Sequence, residues 1–195
     1  MCKNASNKLH ALARMSPFLD ERKRKILMKT FVTSQFNYCP ILWMYCKRTS
    51  NNEINRIHER ALRIAYNDYI SDFESLLVKD DSVTIHARNI QSLAIEIFKT
   101  LDDRSPSFMK EIFCLKEQTY VTRRQQLKIK APRTITYGLE TFGYRAAQIW
   151  NSISLDIQKS NLTTIKQYIK DNYKCICKCN LCKRFIQNVG YMVNS

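Results

Sequence analysis

At 195 residues, with 32 Lys and Arg against 17 Asp and Glu, the chain carries a formal charge of +15 and makes one domain or one domain plus an appendage. Three Gly and four Pro argue against a tight-turned sheet protein. No apolar run approaches the ~20 residues of a membrane helix, and the polar stretch Met1–Arg14 lacks the apolar centre of a secretory signal. What remains is a basic intracellular protein of the nucleus, the cytoplasm or both. Its field attracts phosphate polymers, and no membrane partner is expected. A basic protein without a specific polyanion partner is the competing reading.

In chain order, Asn4–Met15 carries Ala5, Leu9, Leu12 and Ala13 on one face, which predicts a short amphipathic helix. Ser16-Pro17 breaks it. Asp20 offers an N-cap for a helix to about Asn37, with Leu27, Phe31 and Ser34–Tyr38 at helical spacing and Arg22, Lys25 and Lys29 on a neighbouring face. Cys39-Pro40 ends that helix. The run Ile41–Tyr45 is too short to separate a turn of buried helix from a brief strand. Ser50–Glu53 starts a helix to Tyr66 that buries Ile54, Ile57, Ala61, Ile64 and Ala65. Arg56, Arg60 and Arg63 lie on its outer face.

Asp72–Val78 predicts one or two helical turns. Ser82–Leu101 is the clearest helix, because Ile90, Leu93, Ala94, Ile97, Phe98 and Leu101 form an unbroken apolar stripe. Asp102-Asp103 and Ser105-Pro106 close it, and Ser107–Phe113 adds a short helix. The pattern changes at about Gln118. Thr119–Tyr137 combines Arg123-Arg124, alternating Leu127 and Ile129, and Pro132. Helix returns over Glu140–Ile153, around Tyr144, Ala147 and Trp150, and over Leu162–Tyr173. The expected fold is mainly α: an irregular helical bundle with an extended or short-strand segment near 118–137 and a small Cys-rich C-terminal tail.

Three groups of cations are candidates to hold a polyanion. Arg56, Arg60 and Arg63 recur at i, i+4 and i+7, and phosphates alongside would relieve their repulsion. A solvated face paired with Glu53 and Glu59 explains the same pattern. Arg22, Lys25 and Lys29, with Lys23 and Arg24 among them, are opposed locally only by Asp20 and Glu21. Arg123, Arg124, Lys128, Lys130 and Arg133 are interleaved with Tyr120 and Tyr137. That mixture suits single strands whose bases stack on rings, and it suits a basic linker equally.

Asp80-Asp81 and Asp102-Asp103 sit at helix boundaries, where the helix dipole accounts for acidic residues near a helix start. His10, His58 and His86 have no accompanying nucleophile motif. His58 shares a helix with the three arginines and is read as packed or surface, with a phosphate or base contact as the alternative. Trp43 and Trp150 lie in apolar surroundings and are read as core.

Four of the eight cysteines, Cys175, Cys177, Cys179 and Cys182, fall in one short basic run. Thiolates so close repel unless a cation neutralises them, and Zn²⁺ does this in a reducing compartment. The spacing does not match two separated Cys-x₂-Cys knuckles. Three local ligands plus a distant fourth strain so short a loop less than four local ones. Zinc binding and unliganded reduced thiols both stay open. Cys2, Cys39, Cys46 and Cys114 are scattered and read as reduced thiols.

Asn7-Lys8-Leu9-His10-Ala11-Leu12-Ala13-Arg14, followed by Ser34-Gln35-Phe36-Asn37-Tyr38-Cys39-Pro40, resembles the segment after the palm in LINE-type (non-LTR, jockey-like) retrotransposon reverse transcriptases. Arg56-Ile57-His58-Glu59-Arg60-Ala61-Leu62-Arg63 with Tyr66-Asn67-Asp68 continues the resemblance. So do Thr84-Ile85-His86-Ala87-Arg88-Asn89-Ile90-Gln91 and Pro106-Ser107-Phe108-Met109. Cys177-x-Cys179-x-x-Cys182-Lys183 with Gly190-Tyr191 is similar to the C-terminal end of such polyproteins. The resemblance covers nearly the whole chain and rests on the order and spacing of these strings.

It implies a helical thumb-like domain over 1–117, a C-terminal extension with helices over 118–173, and a Cys-rich tail over 174–195. Cys177, Cys179 and Cys182 match the family pattern and Cys175 is extra. Such polymerases copy element RNA into DNA at a nicked chromosomal target. They hold two divalent metals on palm aspartates, typically in a Phe/Tyr-Ala-Asp-Asp turn. That motif does not occur here. The resemblance implies that the palm, the fingers and the upstream endonuclease would lie outside this sequence. The expectation is therefore a nucleic-acid-binding fragment of an RNA-directed DNA polymerase, with no catalytic Mg²⁺ site and no polymerisation of its own. Its partners would be RNA, DNA or RNA–DNA hybrid, and the palm and endonuclease portions of the polyprotein. The alternatives are a protein-interaction module and a decayed element copy.

Overall fold

The computed structural model describes residues 1–44, 46, 48–112 and 142–172. Among these residues every regular element is helical and no strand occurs. They fall into two compact units, Met1–Arg88 and the described residues from Asn89 onward. The expected extended segment near 118–137 and the Cys-rich tail lie outside the described residues.

In the first unit α1 (Cys2–Met15) turns Ala5, Leu9 and Leu12 inward. Their i, i+4, i+7 spacing forms one apolar stripe. It packs against α4 (Arg48–Tyr66) and the turn Met28–Val32. Ser16-Pro17 ends α1 in a 3-10 turn. The helix α2 (Glu21–Leu27) starts where the Asp20 carboxylate accepts from the Lys23 amide at 2.8 Å. It does not continue regularly to Asn37. Met28–Val32 winds as a π-helical turn and Thr33–Phe36 as a 3-10 turn. The wider turn rotates the inward face. Met28, Val32 and Phe36 are buried, whereas Phe31, placed inward by regular spacing, is 49 % exposed.

Pro40 at the first helical position leads into α3 (Pro40–Trp43), so the short apolar run is a turn of helix there. Trp43 is half-buried, with its ring 6.3 Å from that of Phe36 and its indole N–H donating to the Tyr38 carbonyl. Along α4, Ile54, Ile57, Ala61, Leu62 and Ala65 join the core with Phe73, Leu76 and Leu77 of α5 (Phe73–Lys79).

The helix α6 (Ile85–Leu101) starts at Thr84, whose buried hydroxyl accepts from the Ala87 amide at 3.2 Å. Thr84→Ala is expected to cost about 1–2 kcal/mol in urea melts, the usual worth of such a cap. Unchanged stability would show that the cap contributes nothing.

With three Gly in the whole chain, the helix ends use other residues in the left-handed region. Asn67 (φ 51°), Asp81 (φ 47°) and Asp103 (φ 57°) follow α4, α5 and α6. After α4, the Asp68 amide reaches back to Arg63 O and the Asn67 amide to Ile64 O. After α5, Ser82 reaches Leu77 O and Asp81 reaches Val78 O. These are Schellman closures, and Asn and Asp tolerate the conformation better than other non-Gly residues.

In the second unit, Leu93, Ala94, Ile97 and Phe98 of α6 are buried, and a short α7 (Phe108–Ile112) follows. The helix α8 (Phe142–Asn151) buries Ala146, Ala147 and Trp150, whose ring lies 6.4 Å from Phe98. Gln158 of α9 (Leu155–Gln158) donates to the carbonyls of Trp150 and Ile153 at 2.9 and 3.1 Å. These two bonds tie α9 back to the last turn of α8 and the bend that follows it. Ile165 and Ile169 of α10 (Leu162–Asn172) are buried. Among the described residues no helix is long and apolar enough to cross a membrane.

Candidate nucleic-acid interface

The regular winding of α4 puts Arg56 and Arg60 one turn apart on an exposed face. At 1.5 Å rise per residue they are ~6 Å apart along the axis. That is inside the screening length of about 8–10 Å at moderate salt, so their charges repel. Arg63 does not join them. Its Nη2 and Nε bond Glu59 Oε1 at 2.8 and 3.3 Å. Among the described residues Arg56 and Arg60 have no acidic partner within ion-pair distance.

Both arginines line a groove of about 430 Å³ between α4 and the first turns of α1. Lys3, Ser6 and Asn7 form the α1 wall, and Glu53 lies on the α4 side. Cys2 and Ile57 also line the groove. The Cys2 thiol is pushed up, first by burial and then by the Glu53 charge. Three cations and one carboxylate line this volume. The arrangement can hold phosphate oxygens by charge-assisted hydrogen bonds, with Ser6 and Asn7 as additional donors. Reading the sequence for charge runs missed Lys3, Ser6 and Asn7. Asn7 lies on the predicted first helix, but Lys3 joins it at i, i+4 only because that helix starts at Cys2, two residues before the predicted Asn4.

The α2 cations are arranged differently. Lys25 pairs with Glu21 at 2.8 Å and lies 4.3 Å from the centroid of the Tyr66 ring. Its ammonium is held above the ordinary lysine value, first by the Glu21 hydrogen bond and then by Tyr66. Lys29 pairs with Asp80 at 3.4 Å. Arg24 turns inward, donating to the carbonyls of Ala65 and Leu19 at 3.1 and 3.3 Å. Arg22 remains exposed. Most of this patch is therefore internally neutralised or structural, while the α1–α4 groove keeps its positive charge.

No family model, curated protein or solved structure matches the chain. The LINE-type resemblance therefore rests on its own sequence strings.

Arg123 and Arg124 lie outside the described residues. So do Cys175, Cys177, Cys179 and Cys182. The zinc expectation is corrected. Among the described residues no group of three or more His, Cys, Asp or Glu side chains could hold a metal ion. A tetrahedral site needs its donors gathered, yet Cys2, Cys39 and Cys46 are free thiols, and His10 is exposed whereas His58 and His86 are buried.

The acidic pairs have structural roles. Asp80 ends α5, where the Tyr66 hydroxyl donates to its Oδ1 at 2.9 Å. Asp81 and Asp103 take the left-handed closing positions, and Asp102 and Asp103 pair with Arg104 and Lys110. Both pairs close helices, so turn geometry accounts for them, in place of the dipole at a helix start. His58 packs edge-on to Phe73 at 5.7 Å and is buried. Burial, then the Arg88 charge, lowers its pKa to about 4. It is neutral at physiological pH and turned away from solvent, which removes it as a phosphate contact.

Proposed function

We propose that this chain is a nucleic-acid-binding part of a LINE-type reverse transcriptase, holding a phosphate backbone in the α1–α4 groove. The observation that carries this reading is the exposed Arg56–Arg60 pair, opposed across the groove by Lys3 and without an ion-pair partner among the described residues. The order of the family-like strings supplies the polymerase context, with 1–117 as the thumb-like part. Phosphate contacts there would position RNA, DNA or their hybrid without reading sequence. The basic run around Arg123 and Arg124, with Tyr120 and Tyr137, would add affinity for single strands. Nucleotide addition belongs to the palm of the longer polyprotein, working inside the cell.

The test is fluorescence anisotropy with an RNA–DNA hybrid at increasing salt. Three groove contacts give a log–log slope of about −2.7, or roughly a 40-fold weakening from about 50 to about 200 mM salt. Binding that does not change with salt, or no binding, ends the proposal.

A further inference from the structure

We infer that the α1–α4 groove prefers an RNA strand to a DNA strand because Glu53 accepts a hydrogen bond from a ribose 2′-hydroxyl. This rests on phosphate binding at Arg56 and Arg60. Glu53 lines the same groove, is exposed, and among the described residues makes no ion pair. Glu53, Arg56 and Arg60 share one face of α4 at i, i+3 and i+7. Glu53 stands ~4.5 Å along the axis from Arg56, with Arg60 ~6 Å further on. Glu53 lines this volume together with the half-buried Cys2, whose thiol its charge pushes up after burial, so the carboxylate lies beside the groove interior.

A carboxylate one turn from a bound phosphate is repelled unless a donor lies between them. In a nucleotide the donor nearest the phosphate is the 2′-hydroxyl, on the carbon adjacent to the one whose oxygen is esterified. The base amino groups lie across the sugar. With RNA the hydroxyl donates to Glu53 while Arg56 and Arg60 hold adjoining phosphates. With DNA the carboxylate faces phosphate with no strand donor. A site built to bond a hydroxyl rejects the ligand that lacks it, and the 2′-hydroxyl is the group by which proteins tell RNA from DNA. Lys3, Arg56 and Arg60 then supply affinity, and Glu53 supplies selectivity by penalising the wrong strand.

The experiment measures anisotropy of the full chain with short single strands of one sequence, as RNA, DNA and 2′-fluoro RNA. The 2′-fluoro strand keeps the RNA-like sugar shape without a donor. Wild type is expected to bind RNA about fivefold tighter than either other strand, the worth of about one net hydrogen bond. E53A is expected to bring the three affinities together, and R56Q to weaken all three while keeping the ratio. Circular dichroism checks that E53A, a change at an exposed side chain, is folded. Equal wild-type affinities with an intact salt slope overturn the RNA preference alone. So does a 2′-fluoro strand that binds like RNA, or an E53A protein that keeps the ratio. Absence of salt-dependent binding to any strand overturns the phosphate reading beneath it.

Discussion

Acidification from neutral pH to about pH 4 is expected to remove on the order of 3 kcal/mol of folding stability through His58 alone. The imidazole is 3 % exposed, and its folded pKa is about 4 against an ordinary value of 6.5. Burial is the main cause and the Arg88 guanidinium the second, with Asp80 acting weakly in the opposite direction. The unfolded chain takes up a proton that the folded chain excludes. The contribution is therefore fully present above pH 6.5 and is lost as pH falls from 6.5 toward 4. Urea melts across this window check it. His58→Leu is expected to flatten the dependence, whatever its effect on absolute stability. Identical pH profiles for wild type and H58L would show that His58 is not buried in its neutral form.

Replacing Arg56 and Arg60 together with Gln is expected to weaken binding to an RNA–DNA hybrid on the order of tenfold or more at moderate salt. Both side chains are exposed, and among the described residues neither supports another group through an ion pair. Removing two like charges at i, i+4 relieves repulsion of roughly 0.2–0.5 kcal/mol. Thermal stability should stay level or rise slightly while affinity falls. A double variant that binds like wild type would place the strand elsewhere on the molecule.

The helical stripes were legible because burial imposes the 3.6-residue period directly. Ala5, Leu9 and Leu12, and the run from Ile90 to Phe98, were placed correctly from spacing alone. Phe31 was misplaced because a π-helical turn shifts the register, and no residue type announces such a turn. Asn67 and Asp81 did not stand out as helix closers, since that position is usually read from Gly, whereas Asp103 belongs to the Asp102-Asp103 pair already read as closing its helix. In the site, Arg56 and Arg60 followed from their spacing, but Glu59 is a helical neighbour of both Arg56 (i−3) and Arg63 (i+4), and side-chain direction decides for Arg63. Counting only neighbouring acids made α2 look uncompensated. Asp80, which neutralises Lys29, comes from the end of α5. Lys3, Ser6 and Asn7 acquire meaning only when α1 packs beside α4, a tertiary fact outside any local window.

Salt titrations of hybrid binding for wild type, R56Q/R60Q and K25Q/K29Q separate a built groove from diffuse positive charge. Both double variants remove two charges, so net charge alone gives them equal slopes. Groove binding requires the log–log slope to shrink by about 2 in R56Q/R60Q and to stay near wild type in K25Q/K29Q, whose lysines already pair with Glu21 and Asp80. Equal losses in the two variants would rule the groove out.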